Sequence, residues 1–183
     1  MGTYGGPAAT GERNPGAGRR RRGRTPAVCA VLDTAIADLL SLAQGVLALA
    51  LGGAVGWERE RKNKGAGFRT MMLVSFASFL LVKVSLVAGE FYPGSEMVRT
   101  DPVRSIQAVA TALGFVGAGI IYKHRSEDRT RGLTTAAAVL AVSPVGIAVA
   151  LGRPVLAIGA TVLLVLVLDG GQRLEARFAR PAP

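Results

Sequence analysis

Five long apolar blocks, set apart by short charged segments, constrain this chain more than any other feature. They run from about Thr34 to Val55, Thr70 to Ala88, Ser105 to Tyr122, Leu133 to Leu151 and Pro154 to Leu168. Each is close to the roughly 20 residues that carry an α-helix across the hydrocarbon core of a bilayer. Charges are scarce inside the blocks and dense between them, as expected when an uncompensated charge in hydrocarbon costs several kcal/mol. With no water to satisfy backbone amides, the segments must be helical. The expected fold is all-α, a polytopic membrane protein with about five transmembrane helices. Pro144 lies within the fourth block and is expected to kink it or split it into half-helices. Pro154 suits the first position of the fifth helix, where its missing N–H leaves nothing unpaired.

The formal charge of the 183-residue chain is +10. Its distribution argues against nucleic acid as a partner, because no aromatic-studded basic domain accompanies it. Cys29 is the only cysteine and His124 the only histidine. An intrachain disulfide, a thiolate cluster and a multi-histidine zinc site within one chain are thereby excluded, and no cofactor or metal is expected. Residues 1–30 are rich in Gly, Pro, Ala and Arg and hold few large apolar side chains. They read as a disordered basic tail or, alternatively, as sequence upstream of a natural start at Val28 or Val31. Residues 31–170 form the transmembrane domain and 171–183 a short tail.

Lys and Arg counts near the membrane set the expected orientation. Arg59, Arg61, Lys62, Lys64 and Arg69 lie between the first two blocks. Lys123, Arg125, Arg129 and Arg131 lie between the third and fourth, and Arg173, Arg177 and Arg180 after the fifth. The opposite loops hold only Arg99, Arg104 and Arg153. This bias places the basic loops and the C-terminus in the cytoplasm. Arg13, Arg19, Arg20, Arg21, Arg22 and Arg24 of the tail oppose it. Trp57 stands at a block end, where tryptophan favours the membrane interface.

Small residues form two helix faces. Gly52 and Gly56 are four apart, as are Ala110, Gly114 and Ala118, with Gly117 and Gly119 alongside. Such faces let membrane helices approach closely. Packing is one reading of these glycines, and a backbone-lined substrate path is the other. Lys83 is the costly intramembrane residue, and snorkelling to the interface is its expected solution. Gln44, Gln107, Thr111, Thr134 and Thr135 are expected to make interhelical hydrogen bonds. Arg59 is expected to pair with Glu60 or with a group on a neighbouring helix.

Three segments carry a more specific signal. The first is Gly52-Gly53-Ala54-Val55-Gly56-Trp57-Glu58-Arg59-Glu60, continuing to Lys64-Gly65-Ala66-Gly67-Phe68-Arg69-Thr70. The second is Asp101-Pro102-Val103-Arg104, then Gly114-Phe115-Val116-Gly117-Ala118-Gly119. The third is Gly132-Leu133-Thr134-Thr135-Ala136-Ala137, a helix-start motif. In this order and spacing the chain resembles the MgtC/SapB family of bacterial inner-membrane proteins over roughly Ala35 to Leu168. The likeness is to a short form without the soluble C-terminal domain of longer members. Met71 stands where many members have histidine, Ala112 where a glycine is common and Leu140 where tryptophan is frequent.

The resemblance implies that Glu58, Arg59, Glu60, Arg69, Asp101 and Arg104 form a functional polar set. They would brace helix ends or contact a partner protein. It also implies an inner-membrane location and links to magnesium limitation, stress adaptation and virulence. One branch of the family acts by binding the membrane part of ATP synthase. From the residues themselves no catalytic set emerges, and the Gly-rich run of the third block lacks the preceding strand that a nucleotide fingerprint needs. Two functions follow. The first is a regulatory or accessory protein that touches another membrane complex, or further copies of itself, besides membrane lipids. The second is a small oligomeric transporter for magnesium or another small solute.

Overall fold

A computed structural model of the chain describes residues 27–91, 102–123 and 129–178. These residues form five helices: α1 (Ala27–Arg61), α2 (Phe68–Phe91), α3 (Pro102–Lys123), α4 (Arg129–Ala150) and α5 (Pro154–Phe178). Four contain apolar spans long enough to cross a membrane: Val31–Arg61, Phe68–Gly89, Val103–Tyr122 and Gly132–Ala150. The apolar stretch of α5, Pro154–Gly170, is shorter, matching the short fifth block of the sequence. The chain is thus an all-helical polytopic membrane protein. Most of the expected tail, residues 1–26, lies outside the described residues, and α1 begins at Ala27. At the other end α5 continues as helix to Phe178, through most of the segment expected to be a separate tail.

The chain divides into two compact units, Met1–Ile36 and Ala37–Pro183. Of the first, the described part is the opening of α1, where Val31, Leu32 and Ile36 are exposed. The second is built around α4, which packs on α2, α3 and α5. Its core consists of small and branched side chains. Ala48, Phe79, Val82, Val145, Val149 and Ala157 form one buried cluster, and Val55, Met71, Ala138, Val139 and Val142 form another.

Local chemistry fixes where helices stop. Lys64 N donates to Arg59 O at 3.0 Å and Asn63 N to Glu60 O at 3.0 Å, with Asn63 at φ 49°. This is the Schellman arrangement, in which one left-handed residue returns two amides to the last helical carbonyls. Asparagine tolerates that conformation better than most side chains. The same arrangement closes α4. Arg153 N reaches Ala148 O at 2.9 Å, Gly152 N reaches Val149 O at 3.0 Å, and Gly152 sits at φ 70°. Arg153 O then accepts from Ala157 N, so Pro154 is the first residue of α5, where proline was expected.

Of the two expectations for Pro144, a kink or a split into half-helices, the split does not occur. The helix runs unbroken from Arg129 to Ala150 with Pro144 inside it. Proline removes one helical hydrogen bond. Burial of Val139, Val142, Val145 and Val149 on both sides holds the helix through the defect. Two residues after the proline, Gly146 lies directly against α2, where an added Cβ would stand 1.9 Å from Ser75 O. That distance is backbone-to-backbone contact, so α2 and α4 meet at a point where no side chain fits.

Candidate functional site

The sequence Glu58-Arg59-Glu60 ends α1, and each of its three charges is held in a different direction. Arg59 turns inward and is 2% exposed. Its Nη2 donates to Gly65 O at 2.6 Å and to Thr135 Oγ1 at 3.0 Å, and its Nε to Ala66 O at 3.3 Å. Of the two pairings expected for Arg59, with Glu60 or with a group on a neighbouring helix, the structure shows the second, through Thr135 of α4. A planar guanidinium with several fixed donors suits two adjacent carbonyls and a hydroxyl better than a lysine would. The α1–α2 loop is thereby tied to the first turns of α4, and Gly65 is needed close by. A Cβ there would lie 3.2 Å from Thr135 Oγ1.

Glu60 turns to α2. Its Oε2 accepts from Phe68 N at 2.8 Å, satisfying an amide at the open helix start, where a carboxylate also suits the positive end of the helix dipole. Gly67 leaves room for it, since a Cβ there would lie 3.0 Å from that oxygen.

Glu58 faces Lys62 one turn on, and the Lys62 ammonium also donates to Asp169 Oδ1 of α5 at 2.5 Å. Glu58 Oε1 is buried, and the charge facing it is that ammonium. The Asp169 hydrogen bond, and then the one from Glu58, push the Lys62 pKa above its usual value. The motif thus joins the end of α1 to the start of α2, the start of α4 and the polar part of α5. We refer to this set as the clasp. It gathers on one end the segments expected to share a side of the membrane.

The other members of the expected polar set stand apart from the clasp. Arg69 is exposed at the start of α2, and Arg104 is exposed near the start of α3. Asp101 lies outside the described residues. In the helix-start motif, Gly132 and Thr135 are buried while Leu133 and Thr134 are exposed. Helix α4 itself starts three residues before the motif, at Arg129.

The glycines divide in the same way. A Cβ on Gly52 would meet Met71 O and Ser75 Cβ at 2.6 Å, and one on Gly56 would meet Phe68 Cα at 2.7 Å. Both therefore lie at the α1–α2 contact, opposite the methionine that replaces the family's frequent histidine. A Cβ on Gly117 would make ordinary contact with the Ala136 Cβ at 3.6 Å. A Cβ added at Gly114 or Gly119 would meet nothing within 4 Å among the described residues.

Deeper in the bundle, Lys83 is half-buried and its Nζ donates to Gln44 Oε1 of α1 at 3.1 Å. It is held between helices, where snorkelling was expected. Ser75 Oγ donates to Ala48 O at 2.8 Å, and Ser85 and Ser105 hydroxyls meet at 2.5 Å, linking α2 to α1 and to α3. Sequence reading missed Gly146, Asp169 and Ser75. Gly146 and Ala150 do form a small pair four apart, so a signal for that contact existed. Among the described residues no group of three or more His, Cys, Asp and Glu side chains is placed to hold a metal ion.

Comparison with known proteins agrees with the motifs. Residues 46–177 match the MgtC family. An uncharacterized protein of Haemophilus influenzae is 39% identical over 129 residues, covering 70% of this chain and 54% of that protein. Protein SapB of Bacillus subtilis is 34% identical over 106 residues, covering 58% and 45%. The Escherichia coli K12 protein named "Putative magnesium transporter YhiD" is 35% identical over 133 residues, covering 73% and 61%. The chain thus spans about half the length of these relatives. No solved structure matches it. With its family match running from the middle of α1 to the end of α5, through every residue of the clasp, the chain belongs to the MgtC family.

Proposed function

We propose that this chain is a non-enzymatic inner-membrane protein that regulates or assists another membrane complex through helix contacts during magnesium limitation or related stress. In this reading the clasp end and the C-terminus face the cytoplasm, as the positive charge bias favours. The observation that carries the proposal is the state of α3. Phe115 is 85% exposed, Val116, Ile121 and Tyr122 are exposed beside it, and Gly114 and Gly119 leave the backbone uncovered. An open small-residue face is the surface on which another membrane helix seats closely. The interior of the bundle, by contrast, is filled by valine and alanine, with Glu58, Glu60 and Asp169 gathered at the clasp.

Photocrosslinking from position 115 in intact membranes tests this. A discrete adduct with another membrane protein, lost on Gly114→Leu, supports the accessory role. Transport is the second reading, favoured by the half-buried Lys83–Gln44 pair and by the name of the YhiD relative. Magnesium flux into liposomes that falls on Gln44→Leu or Lys83→Met, with no adduct at position 115, would replace the first reading with the second.

A further inference from the structure

The α1–α2 loop carries more positive charge than the clasp uses. Of its five basic residues, Arg59 is buried on carbonyls and Lys62 is held by Glu58 and Asp169. The side chains of Arg61, Lys64 and Arg69 have no hydrogen-bond or ion-pair partner among the described residues, and Arg61 and Arg69 are exposed. The nearby exposed carboxylate, Glu60, is engaged with Phe68 N.

An aromatic pair, Trp57 exposed and Phe68 half-buried, accompanies these cations. Trp57 is 59% exposed and meets the Phe68 ring edge-on, centroids 6.0 Å apart at 79°. Arg61 is one turn after Trp57 on the same helix face, and Arg69 directly follows Phe68. Apolar rings beside unspent cations, at the point where two membrane spans end, match an acyl chain continuing into a phosphate.

From this arrangement we infer that Trp57, Arg61, Phe68 and Arg69, with Lys64 at the loop, form a binding site for an anionic phospholipid. The rings hold the upper acyl region and the guanidiniums hold the headgroup phosphate. Charge complementarity selects the lipid. A zwitterionic headgroup gains little from three cations, whereas each cation near an anionic surface contributes about a fivefold preference. The site does not depend on the accessory role, since it lies on the loop and α3 takes no part in it.

The chain contains a single tryptophan, so fluorescence reports on this site alone. The full chain is reconstituted in vesicles containing phosphatidylglycerol or phosphatidylcholine with brominated acyl chains at equal bromine content. The expected result is preferential quenching by brominated phosphatidylglycerol, about a hundredfold in relative binding constant. That preference should fall to about fivefold in the Arg61→Gln/Arg69→Gln double variant, which keeps Lys64, and persist undiminished in Arg104→Gln. Arg61→Lys/Arg69→Lys should keep most of it, which separates charge from folding. Equal quenching by the two lipids overturns the inference. So does a preference undiminished by the double glutamine change, or one abolished by 10 mM-scale inorganic phosphate, which would make the ligand a soluble anion.

Discussion

Arg59 illustrates how one side chain in a membrane protein can set the position of several backbones. Its guanidinium meets Gly65 O, Ala66 O and Thr135 Oγ1 while almost fully buried. Charged hydrogen bonds of this kind contribute about 1.5–3 kcal/mol, and removing the donor leaves its partners buried and unpaired. Arg59→Gln should therefore lower stability by about 3 kcal/mol, measured by denaturant titration in detergent. Arg59→Lys should recover only part of the loss, since an ammonium lacks the planar fork.

Lys62 gives a prediction in pH. Its folded pKa is raised by Asp169 and Glu58, so its stabilising contribution is complete below the unfolded value of about 10.5 and is lost as pH rises through the higher folded value. Wild type should exceed Lys62→Met in thermal midpoint at pH 8, and the two should converge at strongly alkaline pH. A constant gap across that range would mean that the ammonium charge is not what stabilises.

At the scale of helices, the sharpest contrast is between two glycines with similar local surroundings in sequence. Gly146→Ala would drive a Cβ into Ser75 O, where the obstacle is backbone and cannot rotate away. Separating α2 from α4 should lower stability by about 1–3 kcal/mol, the range for overpacked cores, with loss of the folded monomer as the severe outcome. Gly114→Ala meets open space and adds a better helix former, so it should be neutral or gain up to about 1 kcal/mol in detergent. Thermal unfolding of the two variants side by side checks both.

That contrast also marks the limit of what was legible beforehand. The helices were readable because the bilayer imposes length and polarity on contiguous residues, and the Gly152-Pro154 stop was readable because it is local chemistry. Which glycine faces a neighbour is a tertiary fact. Gly114 and Gly146 each belong to a small-residue pair four apart, yet only one is covered. The end of α1 is polar and lies past the apolar block, and helix persists there because the clasp holds it. At Pro144 the split that local chemistry allowed does not occur, because deep burial on both sides holds the helix.

For the whole molecule, the clasp explains why a motif near the middle of the chain is polar. Glu58, Arg59 and Glu60 were singled out from the sequence as one set. What they reach lay out of sight: Glu58 pairs with Lys62, which bonds Asp169 of α5 107 positions away, while Arg59 meets the loop and α4 and Glu60 meets α2. Arg69 and Arg104 belong to the same sequence signal and yet face outward, away from those contacts. Bundle integrity and surface recognition are therefore separable by mutation. Arg69→Gln should leave the unfolding midpoint within about 0.5 kcal/mol of wild type, as for an exposed position, whereas Arg59→Gln should not.

Arg59 and Thr135 are 76 positions apart, which has a consequence in time. A ribosome adding about 5–20 residues per second needs roughly 4–15 s to travel that far. During this interval α2 and α3 are still being made, and the arginine has only nearby carbonyls or water to bind. The nascent chain therefore passes through a stage with an unfastened loop, which closes when the start of α4 emerges and is sealed when Asp169 follows.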